Sequence, residues 1–256
     1  MLVKALLIDL EGTLYFKNRP IAGAKEAIAH VKDLGIPLRF LTNTDSKTPK
    51  DMEKKLQQMG FDITEAEIFT PVTAMLRFFQ KQDSKNGYFL VSSALQKVVA
   101  PYAVEQTSAD YVVVGDFRDQ MNYQVLNKAF QHIMAGAEII ALQKGKYFIR
   151  ENGYNLDTGS FVQMLEYASN KEAYVLGKPS KQYFSLALDE LGVTAEETAV
   201  VGDDQTTDIL GAEAVGATGI LVKTGKYAEV NGSQVKVEPN KVIDSISQLP
   251  LILKDI

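Results

Sequence analysis

The sequence predicts an α/β protein: a doubly wound, Rossmann-like parallel sheet interrupted by an inserted α+β domain. Three observations carry this expectation. Short apolar runs alternate with amphipathic helical segments at both ends of the chain, as parallel strands joined by helical crossovers do. The runs are nearly continuous in apolar residues, which fits strands covered on both faces. The middle of the chain has a different texture, with paired strands around a turn and a capped helix start.

Taken in order, residues 2–9 read as a strand and 23–34 as a helix, followed by the strand "IPLRFLT" at 36–42 and a helix at 48–59. Val72, Met75, Leu76 and Phe79 then have the i, i+3, i+4, i+7 spacing of one helical face, leading into the strand "GYFLV" at 87–91. Next comes "ADYVVVGDF", a strand, and Leu126, Ala129, Phe130 and Ile133 mark an amphipathic helix. "AEIIALQKGKYFIRENG" reads as two strands around a turn, and "DTGSFVQMLEYA" as a helix start. The C-terminal third returns to the first pattern. It has "AYVLG" at 173–177, a helix from Ser180 to Leu191, "TAVVG" at 198–202, a helix around 206–215 and "TGILV" at 218–222. The expected domains are therefore a core built from 1–92 and 173–256, with the insertion at 93–172.

Composition narrows the function classes. The net charge is -5 and no run of Lys or Arg occurs, so neither nucleic acid nor an anionic membrane has an electrostatic footprint to meet. Cysteine is absent, which removes disulfides, a thiol nucleophile and zinc–thiolate sites. The opening "MLVKALLIDL" is too short and too soon charged for a signal peptide, and no apolar run approaches the roughly 18 residues of a membrane span. The expected compartment is the cytoplasm.

Ligands of open α/β sheets sit at the carboxyl ends of the strands, so the polar residues ending the strands should converge. The first strand ends at Asp9, with Glu11, Gly12 and Thr13 beyond it, and the second ends at Thr42 and Asn43. Later junctions carry Lys178 in "LGKP" and Asp203, Asp204 and Asp208 in "VGDDQTTD". Crowded carboxylates require a cation or a proton. Hard oxygen ligands with a phosphate nearby suit Mg²⁺. Thr42, Asn43 and loop amides offer neutral donors to phosphate oxygens, and Lys178 a fixed positive charge. This inventory describes phosphoryl transfer through an aspartyl phosphate, with Asp9 as nucleophile and Glu11 as general acid and base.

"DLEGT", "LTN", "GKP" and "GDDQTTD", in that order and at those strand ends, resemble the four motifs of the haloacid dehalogenase-like (HAD) hydrolases. The insertion between the second and third motifs resembles the class IIA cap of that family. The resemblance implies a Mg²⁺-dependent phosphatase acting on a small phosphorylated substrate. It makes Asp9 the nucleophile, the Glu11 backbone carbonyl a metal ligand, Thr42 and Asn43 the phosphate-binding residues and Lys178 the lysine that steadies both. Asp203 matches the direct metal ligand, with Asp204 and Asp208 in support. Most phosphatases of the family carry aspartate where this chain has Glu11. The alternative that follows is a phospho-ligand binding or regulatory protein with little turnover. Related proteins often pair through the cap, and the apolar face of 122–135 can serve a homodimer, although packing on the cap's own sheet is its simpler use.

Each motif residue also has a plainer role. A single strand-end aspartate most often caps the following turn, and Thr42 and Asn43 can cap the helix after the second strand. "VGDD" alone also occurs in palm-type polymerases, and a receiver domain also uses an acidic cluster with a lysine. The first needs a longer, more basic chain, and the second is about half this length with a different residue order. His30 and His132 fall in predicted helices far from any strand end and read as structural. The aromatics Phe78, Phe79, Tyr88 and Phe89 read as core, and "DTGSF" as an N-cap, as the loop that class IIA caps lower over the site, or as both.

Overall fold

A computed structural model describes residues 3–82, 85–104, 108–150, 153–229 and 237–253. In chain order the strands are β1 (Ala5–Asp9), β2 (Tyr15–Phe16), β3 (Arg19–Pro20), β4 (Leu38–Leu41), β5 (Ile68–Phe69), β6 (Gly87–Leu90), β7 (Tyr111–Val114), β8 (Glu138–Ala141), β9 (Tyr147–Arg150), β10 (Gly153–Leu156), β11 (Tyr174–Val175), β12 (Thr198–Gly202), β13 (Thr218–Val222) and β14 (Lys241–Ile243). The helices are α1 (Ala24–Asp33), α2 (Pro49–Gln58), α3 (Pro71–Gln80), α4 (Gln96–Val99), α5 (Tyr123–Met134), α6 (Thr158–Ser169), α7 (Lys181–Leu191), α8 (Leu210–Val215), α9 (Gly225–Glu229) and α10 (Leu249–Ile252).

Residue contacts gather the chain into two units, the first being 1–42, 49–69 and 178–256 and the second 43–48 and 70–177. The first unit holds a six-stranded sheet in the order β14-β13-β12-β1-β4-β5, with every neighbouring pair parallel. Strand β1 is central and entirely buried. Because successive side chains of a strand point to opposite faces, Leu6 and Ile8 join Phe40, Ala199, Val201 and Ile220 on one side. There they meet Ile28 and Val31 of α1 and Met52 and Leu56 of α2. On the other side α7 packs against β4, and α8 against β13 and α7. Helix α7 starts where the Ser180 side chain accepts the Tyr183 N–H, at 3.2 Å, and ends at Gly192.

The second unit contains a four-stranded parallel sheet, β11-β8-β7-β6, and the separate antiparallel hairpin β9–β10. Its core joins Val112, Val114, Ile139 and Ala141 of the sheet to Ala129 and Ile133 of α5 and Phe161, Val162 and Leu165 of α6. Helix α5 thus spends its apolar face on its own sheet. The strands at 87–90 and 174–175, which the sequence grouped with the core sheet, pair here instead. An apolar run identifies a strand but not its neighbour, and pairing is set by residues far away in sequence. The stretch "AEIIALQKGKYFIRENG" holds the two expected strands, β8 and β9, but they do not pair with each other: β8 lies between β7 and β11, and β9 forms a hairpin with β10. Two short strands, β5 and β14, extend the core sheet without a periodic signal of their own.

Candidate active site

Asp9 is the last residue of β1, and Asp203 directly follows β12, the strand beside it. A π-helical turn, Gln205–Ile209, carries Asp208 back toward them. All three carboxylates are buried, and one oxygen from each lies within 4.8 Å of the others. Between β11 and α7 the chain places Lys178, only 5% exposed, whose Nζ donates to Asp9 Oδ1 at 2.5 Å and to Asp208 Oδ1 at 2.6 Å. The second oxygen of Asp9 is buried and has no hydrogen-bond partner among the described residues.

One ammonium group cannot neutralise three carboxylates, and their proton affinities report the imbalance. Burial, and then Asp9 and Asp208, push Asp203 up to about 8. Burial lifts Asp208 to about 7, against the pull of Lys178 and with the repulsion of Asp9. Burial works against the charge on Lys178, but Asp208 and Asp9 outweigh it and hold its pKa well above the ordinary value. Such a cluster needs further positive charge to stay ionised at neutral pH. Three buried carboxylate donors, one of them with an orphaned oxygen, fit a small divalent cation with hard oxygen ligands.

The remaining residues expected at the site lie on three loops. Thr42 follows β4, the other neighbour of β1, and is buried, while Asn43 begins the second unit's share of the chain and is partly buried. Glu11 is exposed, and Gly12 and Thr13 are buried, the Thr13 hydroxyl without a partner among the described residues. Asp204 does not join the three-carboxylate cluster. Its Oδ1 accepts from the Thr206 N–H and hydroxyl, at 2.8 and 2.6 Å, and its Oδ2 from Lys226 Nζ at 2.7 Å. Burial opposes the Asp204 charge, but Lys226 and Thr206 more than offset it and lower its pKa.

Sequence reading overlooked three participants. Tyr183 looks like one more core aromatic of α7. Its buried hydroxyl nevertheless lies 3.3 Å from the Thr42 N–H, 3.0 Å from the Thr42 carbonyl and 2.7 Å from the Phe69 carbonyl, linking the ends of β4 and β5. Thr224 and Lys226 follow β13, so the strand-end rule that picked out Asp9 and Asp203 would have found them. The Thr224 hydroxyl donates to the Gly12 carbonyl at 2.5 Å, and the Lys226 N–H donates to Asp203 Oδ2 at 2.6 Å. His132 does have a structural role, its Nδ1 accepting the Ala109 N–H and its ring stacking on Tyr88. Phe79 is buried as expected, with Phe78 edge-on against it. The Asp157 side chain of "DTGSF" caps α6 through the Thr158 N–H.

Residues 6–105 match the family described as haloacid dehalogenase-like hydrolase, and 175–249 match that described as HAD-hydrolase-like. Haloacid dehalogenase-like hydrolase domain-containing protein 2 of Bos taurus is 36% identical over 95% of this chain and 93% of its own. Phospholysine phosphohistidine inorganic pyrophosphate phosphatase of Danio rerio is 34% identical over 96% and 92%. Among solved structures, p-nitrophenyl phosphatase from Archaeoglobus fulgidus superposes with a TM-score of 0.88 over the full length of both chains, at 26% identity.

Proposed function

The chain belongs to the haloacid dehalogenase-like hydrolases, and on that premise we propose that it is a magnesium-dependent phosphatase acting on a small phosphorylated compound through an aspartyl phosphate on Asp9. The observation that carries this reading is the buried Lys178 bonded to both Asp9 and Asp208, beside a third carboxylate and an orphaned Asp9 oxygen. The phosphatases among its relatives support the reaction class.

Asp9 and Asp203, with the Glu11 backbone carbonyl, would hold the magnesium ion. Asp208 supports them, since its own oxygens already accept from Lys178 and from the Asp204 N–H. Bound magnesium supplies the positive charge that lets the carboxylates and a phosphate share one site. Lys178 holds Asp9 ionised and aimed, while Thr42 and Asn43 donate to the phosphate oxygens. The Asp9 carboxylate attacks phosphorus and the bond to the leaving oxygen breaks, that oxygen taking a proton from Glu11 or water. A water molecule then attacks the phosphorus of the aspartyl phosphate, giving up a proton to Glu11 as the bond to the Asp9 oxygen breaks, which releases inorganic phosphate and the free Asp9. The insertion expected at 93–172, which falls within the second unit, would serve as the cap.

The test is hydrolysis of p-nitrophenyl phosphate in magnesium by the parent and by Asp9→Asn. Turnover should fall on the order of 10³-fold or more, as removal of a nucleophile does. Unchanged turnover in Asp9→Asn would overturn the assignment. A parent that binds vanadate in magnesium but hydrolyses no phosphate ester across a metabolite panel would point instead to the binding protein anticipated from Glu11.

A further inference from the structure

We propose that Lys226 is a positioning residue for the cation site: its main-chain N–H aims Asp203, and its ammonium group occupies Asp204 and moderates the site's affinity for the cation. The inference rests on the reading that Asp9 and Asp203 hold magnesium. It begins with the chain just after β13, Thr224 and the start of α9, which is tied to the loops after β1 and β12 by three bonds. Thr224 donates to the Gly12 carbonyl, the Lys226 N–H to Asp203 Oδ2 and Lys226 Nζ to Asp204 Oδ2. The approach is so close that both loops need glycine there. Gly12 has φ +100 and Gly225 has φ +55, and a Cβ on either would collide with the Asp203 carboxylate. Asp203 is therefore fixed on one side by backbone, with Oδ2 spent on Lys226 and its other oxygen left for a cation.

Asp204 meets the opposite fate. Thr206 takes one of its oxygens and Lys226 the other, so a carboxylate adjacent in sequence to a metal ligand is fully engaged elsewhere. The local balance is four carboxylates, Asp9, Asp203, Asp204 and Asp208, against two ammonium groups, Lys178 and Lys226. Lys178 is buried and bonded to the nucleophile. Lys226 is the cation whose side chain can change without disturbing the core, because it is 64% exposed. Its removal leaves the main-chain N–H on Asp203 intact, deletes one positive charge near the site and frees Asp204.

The experiment is a Mn²⁺ titration read by electron paramagnetic resonance, with Mn²⁺ standing in for magnesium and thermal melting confirming the fold. Lys226→Met and Lys226→Gln should each bind Mn²⁺ roughly three- to tenfold more tightly than the parent, the size expected of one nearby charge in a partly solvated setting. Lys226→Arg should keep the parent affinity, and Lys226→Met combined with Asp204→Asn should return toward it. Parent-like or weaker binding by both neutral variants, with the parent itself binding, would overturn the role of Lys226 while leaving the phosphatase reading in place. A double variant as tight as Lys226→Met would refute the part played by Asp204. A parent that binds no Mn²⁺ would overturn both readings.

Discussion

Glu11 stands two residues after Asp9, yet it is exposed where Asp9 is buried. Its backbone bridges to Tyr15, whose phenol is pushed well above its ordinary pKa by burial, then by Glu11 and Asp9, so Tyr15 stays neutral and offers no base. On the proposed mechanism the Glu11 carboxyl carries the proton. A positioned acid or base contributes roughly 10²–10⁴ in rate, and misplacement by about 1 Å can cost on the order of 10². Glutamate reaches one methylene farther than the aspartate most of the family's phosphatases carry there. Glu11→Asp should therefore raise or preserve kcat on p-nitrophenyl phosphate in magnesium. A tenfold or greater fall would show that the longer side chain is required, and that the loop is built around it.

The loop after β4 and the start of α6 meet within the second unit. The Thr158 hydroxyl donates to Asp45 Oδ2 at 2.6 Å, and Asp45 is buried. Burial pushes Asp45 up to about 7, a rise that the Thr158 bond only partly opposes and that Asp157 and Asp116 reinforce. An acid raised on folding binds more protons in the native than in the unfolded chain between about pH 4 and pH 7. Its favourable contribution is thus complete at low pH and is lost as pH rises through 7. A shift of this size corresponds to a pH-dependent change on the order of 2–4 kcal/mol. Urea unfolding at pH 5 and pH 8 should show the parent losing more stability than Asp45→Asn, which still accepts from Thr158 but does not titrate. Equal losses would mean that Asp45 is ionised throughout. The residues of this loop also mark a limit on what sequence shows. "LTN" was legible because it ends an apolar strand, whereas Asp45 looked like any loop carboxylate, its burial depending on a helix more than a hundred residues later. Tyr183 is the same case, since nothing in its helical spacing reveals which backbone groups its hydroxyl reaches.

At the scale of the molecule, strands, helices and the strand-end carboxylates were readable because each is written in a short stretch: β12 and β13 fall where their apolar runs predicted, and α1, α2 and α7 within a residue or so. Partnership between stretches was not: β6 and β11 are apolar runs like those of the core sheet yet pair in the second unit's sheet, and nothing adjacent to Asp204 in sequence reveals its bond to Lys226. Among the described residues no helix is long and apolar enough to cross a membrane. The carboxylate cluster lies wholly within the first unit, so the cation's effect on folding can be read without any substrate. A ligand that binds only the folded form stabilises it by RT ln(1 + [L]/Kd), about 2.7 kcal/mol at a hundredfold excess over Kd. Saturating magnesium should accordingly raise the parent's unfolding free energy in urea by that order, shifting its midpoint upward, and leave Asp203→Asn unmoved. The substitution relieves charge crowding, so the variant should be at least as stable as the parent without magnesium and less stable with it. A magnesium gain that survives in Asp203→Asn would place the cation elsewhere, and equal stability of the two proteins in magnesium would mean that the crowded carboxylates settle their repulsion with protons alone.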